Sequence, residues 1–157
     1  MAVRHVALAA LLVGCACSAG AGQTMERNKA LIREFVRDVD RLPGSDAIDK
    51  WMTSDFTMRA NGGPPINLET YRGAVAQMNK GFSNLAHELH DVVAEGDLVA
   101  VTVTVRGTHS GDYQGLAPTG KSIAFEEAIV WRLRDGKIAS QVVIVDTAGV
   151  LQQLTAK

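Results

Sequence analysis

The dipeptide Asp135-Gly136 lies between two apolar runs, Ser122 to Leu133 and Ile138 to Val145. Two-residue hairpin loops favour residues that accept positive φ, so Asp-Gly between alternating apolar positions is a strong hairpin signal. The turn also predicts a register. Counting outward, Leu133 faces Ile138, Trp131 faces Ser140, Ile129 faces Val142, Glu127 faces Ile144 and Phe125 faces Asp146. On this reading a single apolar face carries two carboxylates, Glu127 and Asp146, as diagonal neighbours roughly 7 to 8 Å apart. Acids on an apolar face require water, a partner or a ligand.

The preceding segment extends the same sheet. Val99, Val101, Val103 and Val105 alternate with Ala100, Thr102, Thr104 and Arg106, the period of a half-buried strand. A Gly-bounded loop, Gly107 to Gly115, holds His109 and Tyr113. Before the valines, Ala86 to Ala94 reads as another strand, turned by Glu95-Gly96-Asp97. A two-residue turn sends Glu88, His90 and Val92 inward, whereas a three-residue turn sends His87, Leu89, Asp91 and Val93 inward. Either register delivers one histidine to the inner face.

Helical periodicity precedes the strands. Leu31, Ile32, Phe35, Val36 and Val39 define an amphipathic helix from Met25 to Arg41, stopped by Leu42-Pro43-Gly44. A short helix follows from Ser45 to Met52, with Ser45 or Asp46 as its cap, and a third runs from Leu68 to about Phe82, capped by Asn67. Thr53 to Ala60 alternates like a short strand. Three helices followed by a four-stranded antiparallel meander predict an α+β domain with the helices on one face of a curved sheet. The concavity would be lined by His109, Glu127, Trp131 and Asp146, joined by Trp51, Phe56 and Tyr71.

The first 22 residues have the form of an export signal: Arg4 and His5, an apolar run from Val6 to Val13, then small residues, too short to span a bilayer. Leu12-Val13-Gly14-Cys15 has the order of a bacterial lipobox, which predicts acylation of Cys15 and a lipoprotein tethered in the cell envelope. Ala19-Gly20-Ala21 offers ordinary cleavage and a periplasmic or secreted soluble protein as the alternative. Residues 16–24 read as a flexible spacer and 25–157 as one domain. Both cysteines precede that domain, so no disulfide holds it together. A net charge of -1 implies neither nucleic acid nor an anionic membrane surface as a partner, leaving the lipid anchor as the membrane contact.

Four segments carry a resemblance: Asp91 to Asp97, Val103 to Gly111 (with Gly107-Thr108-His109-Ser110-Gly111), Pro118 to Lys121, and Asp146 to Leu154 (Asp-Thr-Ala-Gly-Val-Leu-Gln-Gln-Leu). Together they resemble the SnoaL-like polyketide cyclase (ester cyclase) family of the nuclear transport factor superfamily. The resemblance implies a cone-shaped, cystatin-like α+β barrel around a small apolar or aromatic molecule, and a homodimer. It also implies acid/base chemistry of lyase or isomerase type with no metal or organic cofactor. His109 matches the family's histidine. The family's aspartate, in Phe-x-x-x-Asp-x-Tyr-Arg, falls on Ile129, its His-Trp pair falls on Gln141-Val142, and its early Asp-His after Phe56 is missing. Glu127, two residues before Ile129 on the same face, supplies a carboxylate about 7 Å away, and desolvation is expected to raise its pKa.

The candidate catalytic set is therefore His109, Glu127 and Asp146, and the candidate ligand contacts are Trp51, Phe56, Tyr71, Tyr113, Phe125, Ile129, Trp131 and Val142. Each has a structural alternative. His109 can bond a loop carbonyl, Glu127 an arginine, and Asp146 the N-terminus of the helix Thr147 to Leu154, while Trp51, Phe125 and Trp131 can be core. His87, His90 and Asp91 lack the spacing of a zinc site.

Overall fold

The computed structural model describes residues 13–42 and 46–156. The chain runs α1 (Val13–Arg41), α2 (Asp46–Trp51), β1 (Met52–Ala60), β2 (Ile66–Asn67), α3 (Leu68–Gly81), β3 (Phe82–Glu95), β4 (Leu98–His109), β5 (Ser122–Arg134), β6 (Lys137–Val145) and α4 (Thr147–Thr155). Residues 1–12, expected to belong to an export signal, and Pro43, Gly44 and Ser45 between the first two helices, lie outside the described residues. Helix α1 begins at Val13 instead of Met25, so the stretch expected as a spacer is helical, in keeping with Ala16, Ala19 and Ala21. No helix of the described residues is long and apolar enough to cross a membrane.

The α+β class holds, with a six-stranded sheet in place of four strands, ordered β2-β1-β6-β5-β4-β3. The added strands are β1, whose alternation of Phe56 and Met58 was visible, and the two-residue β2. Strand β1 pairs parallel to β6, a long-range contact that no local turn announces. Helix α3 starts where Asn67 predicts: its side chain accepts from the Thr70 N–H at 3.0 Å. Helix α1 lies across β3 and β4, pinned where Asn28 donates to the Gly96 carbonyl at 2.9 Å.

The Asp135-Gly136 turn forms as expected, with φ of 51° and 73°. Arg134 then pairs with Lys137 and Leu133 with Ile138, but between Arg132 and Leu133 the register shifts by one residue. Ala139 is the extra residue, a β-bulge. Beyond it Trp131 faces Gln141, Ile129 faces Val143 and Glu127 faces Val145. Since side chains alternate along a strand, one inserted residue exchanges the two faces of β6. Val142 and Ile144 therefore point outward, 43% and 56% exposed, and the expected pairings of Ile129 with Val142 and Glu127 with Ile144 are corrected. The reason lies in Trp131, which is 3% exposed and donates its indole N–H to Gln141 Oε1 at 3.0 Å. The regular register would have placed Gln141 outside and left that buried donor without its acceptor.

The first hairpin satisfies both predicted registers in turn. Glu95 pairs with Leu98 across a two-residue turn, which turns Val92 inward beside Val101. A shift between Leu89 and Val92 then brings Leu89 opposite Val103 and His87 opposite Val105. His87 thus reaches the concave face, while His90 Nε2 meets Thr104 Oγ1 at 2.7 Å.

Two apolar clusters fill the fold. The larger joins Ile32 and Phe35 of α1 to Phe56, Val99, Val103, Ile129, Trp131 and Ile138; the smaller gathers Phe82, Val105, Ile123 and Phe125 beneath Val150 and Leu154 of α4. The outer face of the sheet carries an exposed apolar strip of Val93, Val130, Val142 and Ile144.

Candidate functional site

A cavity of about 270 Å³ opens between the concave face of the sheet, α3 and α4. Its walls are largely apolar: Met58 and Ala60 from β1, Ala74, Val75 and Met78 from α3, Leu85 from β3, Val143 and Val145 from β6. A second lobe of about 80 Å³ reaches toward α1, between Phe35, Val36, Val103, Ile129 and Trp131. Val39, Tyr71, His87, Glu127 and Gln141 line both lobes. The polar groups of the cavity thus gather at the junction of its two parts.

Glu127 occupies that junction because β5 alternates cleanly from Phe125 to Trp131, with the odd positions inward. No described residue donates a hydrogen bond to its carboxyl, and no described arginine pairs with it; Arg132 instead grips Asp97 at 2.7 Å, and Arg106 lies 3.8 Å from Glu88. Burial raises the Glu127 carboxyl above its ordinary value of 4.5, and the charge of a protonated His87 opposes that rise. Tyr71 responds to the same surroundings: burial, then the negative charge of Glu127, raises its hydroxyl far above the ordinary 10.0, so it remains a donor.

The other expected catalytic groups lie elsewhere. His109 is fully buried behind the cavity, its ring 5.3 Å from Phe82 and its Nδ1 accepting the Thr119 N–H at 3.2 Å. Thr119 Oγ1 lies 3.0 Å from the same nitrogen, so the loop after Pro118 occupies one edge of the ring. The other nitrogen, Nε2, is buried with no hydrogen-bond partner. Asp146 caps α4, accepting from the Gly149 N–H at 2.8 Å, and is exposed. The bulge at Ala139 ends the inward series at Val145, which releases Asp146 for capping.

Among the expected ligand contacts, Tyr71, Tyr113 and Phe125 line the larger lobe, and Tyr71, Ile129 and Trp131 the smaller. Tyr113 is held against Phe82, with ring centroids 4.8 Å apart. Three expectations are corrected. Phe56 is core, 1% exposed, and supports Tyr71 from 5.1 Å. Trp51 turns toward α1, donating to Asp38 Oδ2 at 2.7 Å, with Lys50 4.5 Å above its ring. Val142 faces outward.

Sequence reasoning left His87 open, noted Gln141 only as standing at the family's His-Trp pair, and passed over Asp40. His87 Nδ1 lies 2.6 Å from Asp40 Oδ1, and its backbone N–H donates to Asp40 Oδ2 at 3.2 Å. Gln141, a lone amide in an apolar strand, was the available signal for an inward polar residue. Asp40, on the polar side of an amphipathic helix, gave none. Among the described residues no three His, Cys, Asp or Glu side chains cluster as a metal site.

The fold and cavity define a class: an α+β cone whose curved sheet and helices enclose a largely apolar pocket with an acid inside. The SnoaL-like polyketide cyclase profile matches residues 30–154, and the chain belongs to that family. AclR of Streptomyces galilaeus, provisionally called a hydroxylase, is 27% identical with a TM-score of 0.77, over 83% of this chain and 82% of that one. A provisionally assigned polyketide cyclase of Acidithiobacillus ferrooxidans is 26% identical, TM-score 0.72, over 82% and 94% of the two chains. IdmH of Streptomyces antibioticus, likewise provisionally a polyketide cyclase, is 25% identical, TM-score 0.72, over 81% and 97%. No curated protein matches significantly.

The raised Glu127 pKa makes stability depend on pH. With the folded value above the unfolded one, the contribution is fully present below the ordinary carboxylate range and is lost as pH rises through the raised folded value. Glu127→Gln removes the cost of burying the ionised form. The variant is therefore expected to resist urea better than the native chain at about pH 8, with the difference closing toward about pH 4. Urea midpoints at both pH values check it.

Proposed function

We propose that this protein binds a small apolar or aromatic carbonyl compound in the cone and moves a proton on it, an isomerase- or lyase-type reaction in which Glu127 is the acid/base group. The observation that carries this reading is the Glu127 carboxyl, set in an apolar cavity with no hydrogen-bond partner among the described residues, its pKa raised by burial. A raised carboxyl holds its proton at less acidic pH and can donate or recover it near neutrality. The cavity of about 270 Å³ suits a compact ligand of one or two rings. The reaction as proposed requires no metal or organic cofactor. Polyketide cyclisation fits this chain less well than proton transfer, because Ile129 stands where the resemblance places the family's aspartate and the first 22 residues have the form of an export signal.

We further propose that the chain is exported and tethered through acylated Cys15, supported by the order Leu12-Val13-Gly14-Cys15. A homodimer is proposed through the exposed strip of Val93, Val130, Val142 and Ile144 on the outer face of the sheet. Its occupant is a second copy, because an apolar strip can pack against the same strip of another copy about a two-fold axis.

Three measurements test these readings. With 1-phenyl-1,3-butanedione as a probe carbonyl compound, the protein is expected to accelerate solvent deuterium exchange at the carbon between the carbonyls. Glu127→Gln is expected to lose about 100-fold or more of that rate while still binding the neutral fluorophore N-phenyl-1-naphthylamine; an unchanged exchange rate removes Glu127 from the chemistry. The intact mass of the mature protein is expected to show a lipid on Cys15 that Cys15→Ala abolishes, and a mature chain starting near Gly22 overturns the tether. Sedimentation of the soluble domain is expected to give a dimer that Ile144→Arg converts to monomer, and a native monomer contradicts the proposed interface.

A further inference from the structure

Asp40 at the end of α1 and His87 in β3 are 47 positions apart and meet through two contacts. A carboxylate only accepts, so the contact of 2.6 Å fixes the proton of the neutral ring on Nδ1. Asp40 also accepts the His87 backbone N–H, which ties the carboxylate to the strand as well as to the ring. Both side chains are about a quarter exposed. Asp40 does not line the cavity, whereas His87 lines both lobes. Nε2 is the remaining nitrogen, and no described residue hydrogen-bonds to it. An Nδ1–H held by a carboxylate leaves Nε2 with its lone pair available, the form that a general base requires.

Across the junction stands Glu127, near enough that a charge on His87 lowers its pKa against the effect of burial. The shift of β3 between Leu89 and Val92 brings the imidazole to the concave side, and the uninterrupted alternation of β5 brings the carboxyl. The two groups belong to strands separated by β4, so they approach a ligand from different directions.

We propose that His87 is a catalytic base of this site, with Asp40 as its positioning residue and Glu127 as the acid that works with it. The proposal rests on the proton-transfer reading above and assigns a division of labour within it. In the forward step Nε2 takes a proton from the carbon beside the carbonyl. The electron pair of that C–H bond forms the carbon–carbon double bond, the carbonyl π electrons move to oxygen, and Glu127 gives its proton to that oxygen. The enol leaves behind an imidazolium and a carboxylate. Return of a proton to the same carbon gives exchange, and return to a conjugated carbon gives an isomer. Both enzyme groups recover their starting forms and no oxidant or co-reactant enters.

The experiment compares the native protein with His87→Gln, Asp40→Asn and Glu127→Gln, using 1-phenyl-1,3-butanedione for deuterium exchange, N-phenyl-1-naphthylamine for binding and ¹⁵N NMR of the histidine rings. The native spectrum is expected to place the proton of the neutral His87 ring on Nδ1, a result that requires no variant to fold. Asp40→Asn is expected to move part of that population to the Nε2–H form and to lower exchange about 10-fold, a shift that packing alone does not produce. His87→Gln is expected to lose about 100-fold in exchange with fluorophore binding retained. An Nε2–H tautomer in the native protein overturns the proposal, as does His87→Gln exchanging at the native rate. If that occurs while Glu127→Gln still abolishes exchange, the proton-transfer reading stands and only the His87 assignment falls. If Glu127→Gln exchanges normally, the underlying reading falls.

Discussion

The hydrogen bond from the Trp131 indole to Gln141 governs how the last two long strands meet. A buried indole N–H left unpaired costs on the order of 1 to 3 kcal/mol, and the acceptor that meets it is a side chain the simplest hairpin register would have turned outward. Inserting Ala139 as a bulge resolves the conflict, and the sheet keeps the consequence along the rest of β6. Val143 and Val145 become cavity wall, Val142 and Ile144 become outer surface, and Asp146 is freed to cap α4. The cap in turn directs α4 so that Val150 packs over Phe125 and closes one side of the cavity. A single buried donor thus connects the shape of the pocket to the face that a partner would meet.

What the sequence disclosed follows from the range of the forces involved. The Asp135-Gly136 turn, the Asn67 cap, the valine alternation of β4 and the inward placement of Glu127 are decided within a few residues, and all are read correctly from local pattern. The bulge at Ala139 is decided by the needs of Trp131 ten positions away in sequence from Gln141, and period-two counting has no means to detect it. The parallel pairing of β1 with β6 and the meeting of Asp40 with His87 depend on chain segments brought together only by folding. In the first hairpin, two registers derived as alternatives each describe half of the strand, because a shift in β3 changes from one to the other.

His109 shows the limit of reading chemistry from a motif. The Gly-Thr-His-Ser-Gly run placed it among the candidate catalytic residues, and the same glycines allow the surrounding loops to close over it. Ser110 and Gly111 donate their N–H groups to the Gly81 carbonyl, where an added Cβ at Gly111 would lie 2.1 Å from the Lys80 carbonyl oxygen. That close approach draws the loop against α3 and seats Tyr113 on Phe82, while Thr119 occupies the Nδ1 edge of the imidazole. The histidine thereby organises the wall on which Tyr113 stands. Its contribution to the cavity is made through packing, and the imidazole that faces the cavity is His87.

On the proposed proton-transfer reading, an acid at Glu127 instead of position 129 also sets the place where chemistry would occur. Ile129, at the family's aspartate position, lines only the smaller lobe beside Trp131, a space of about 80 Å³ that holds little more than a few atoms. A carboxylate there would act deep in the cone. Moving it two residues along β5, by about 7 Å, keeps the same face and carries it to the junction, where the lobe of about 270 Å³ begins and where His87, Tyr71 and Gln141 also converge. Isoleucine at position 129 leaves an apolar floor beneath the polar ring of groups. A ligand seated in such a site would place its apolar end against Ile129 and Trp131 and present its polar atoms one level higher, between Glu127 and His87. On that reading the cone keeps its packing while its reactive groups stand one level higher than position 129.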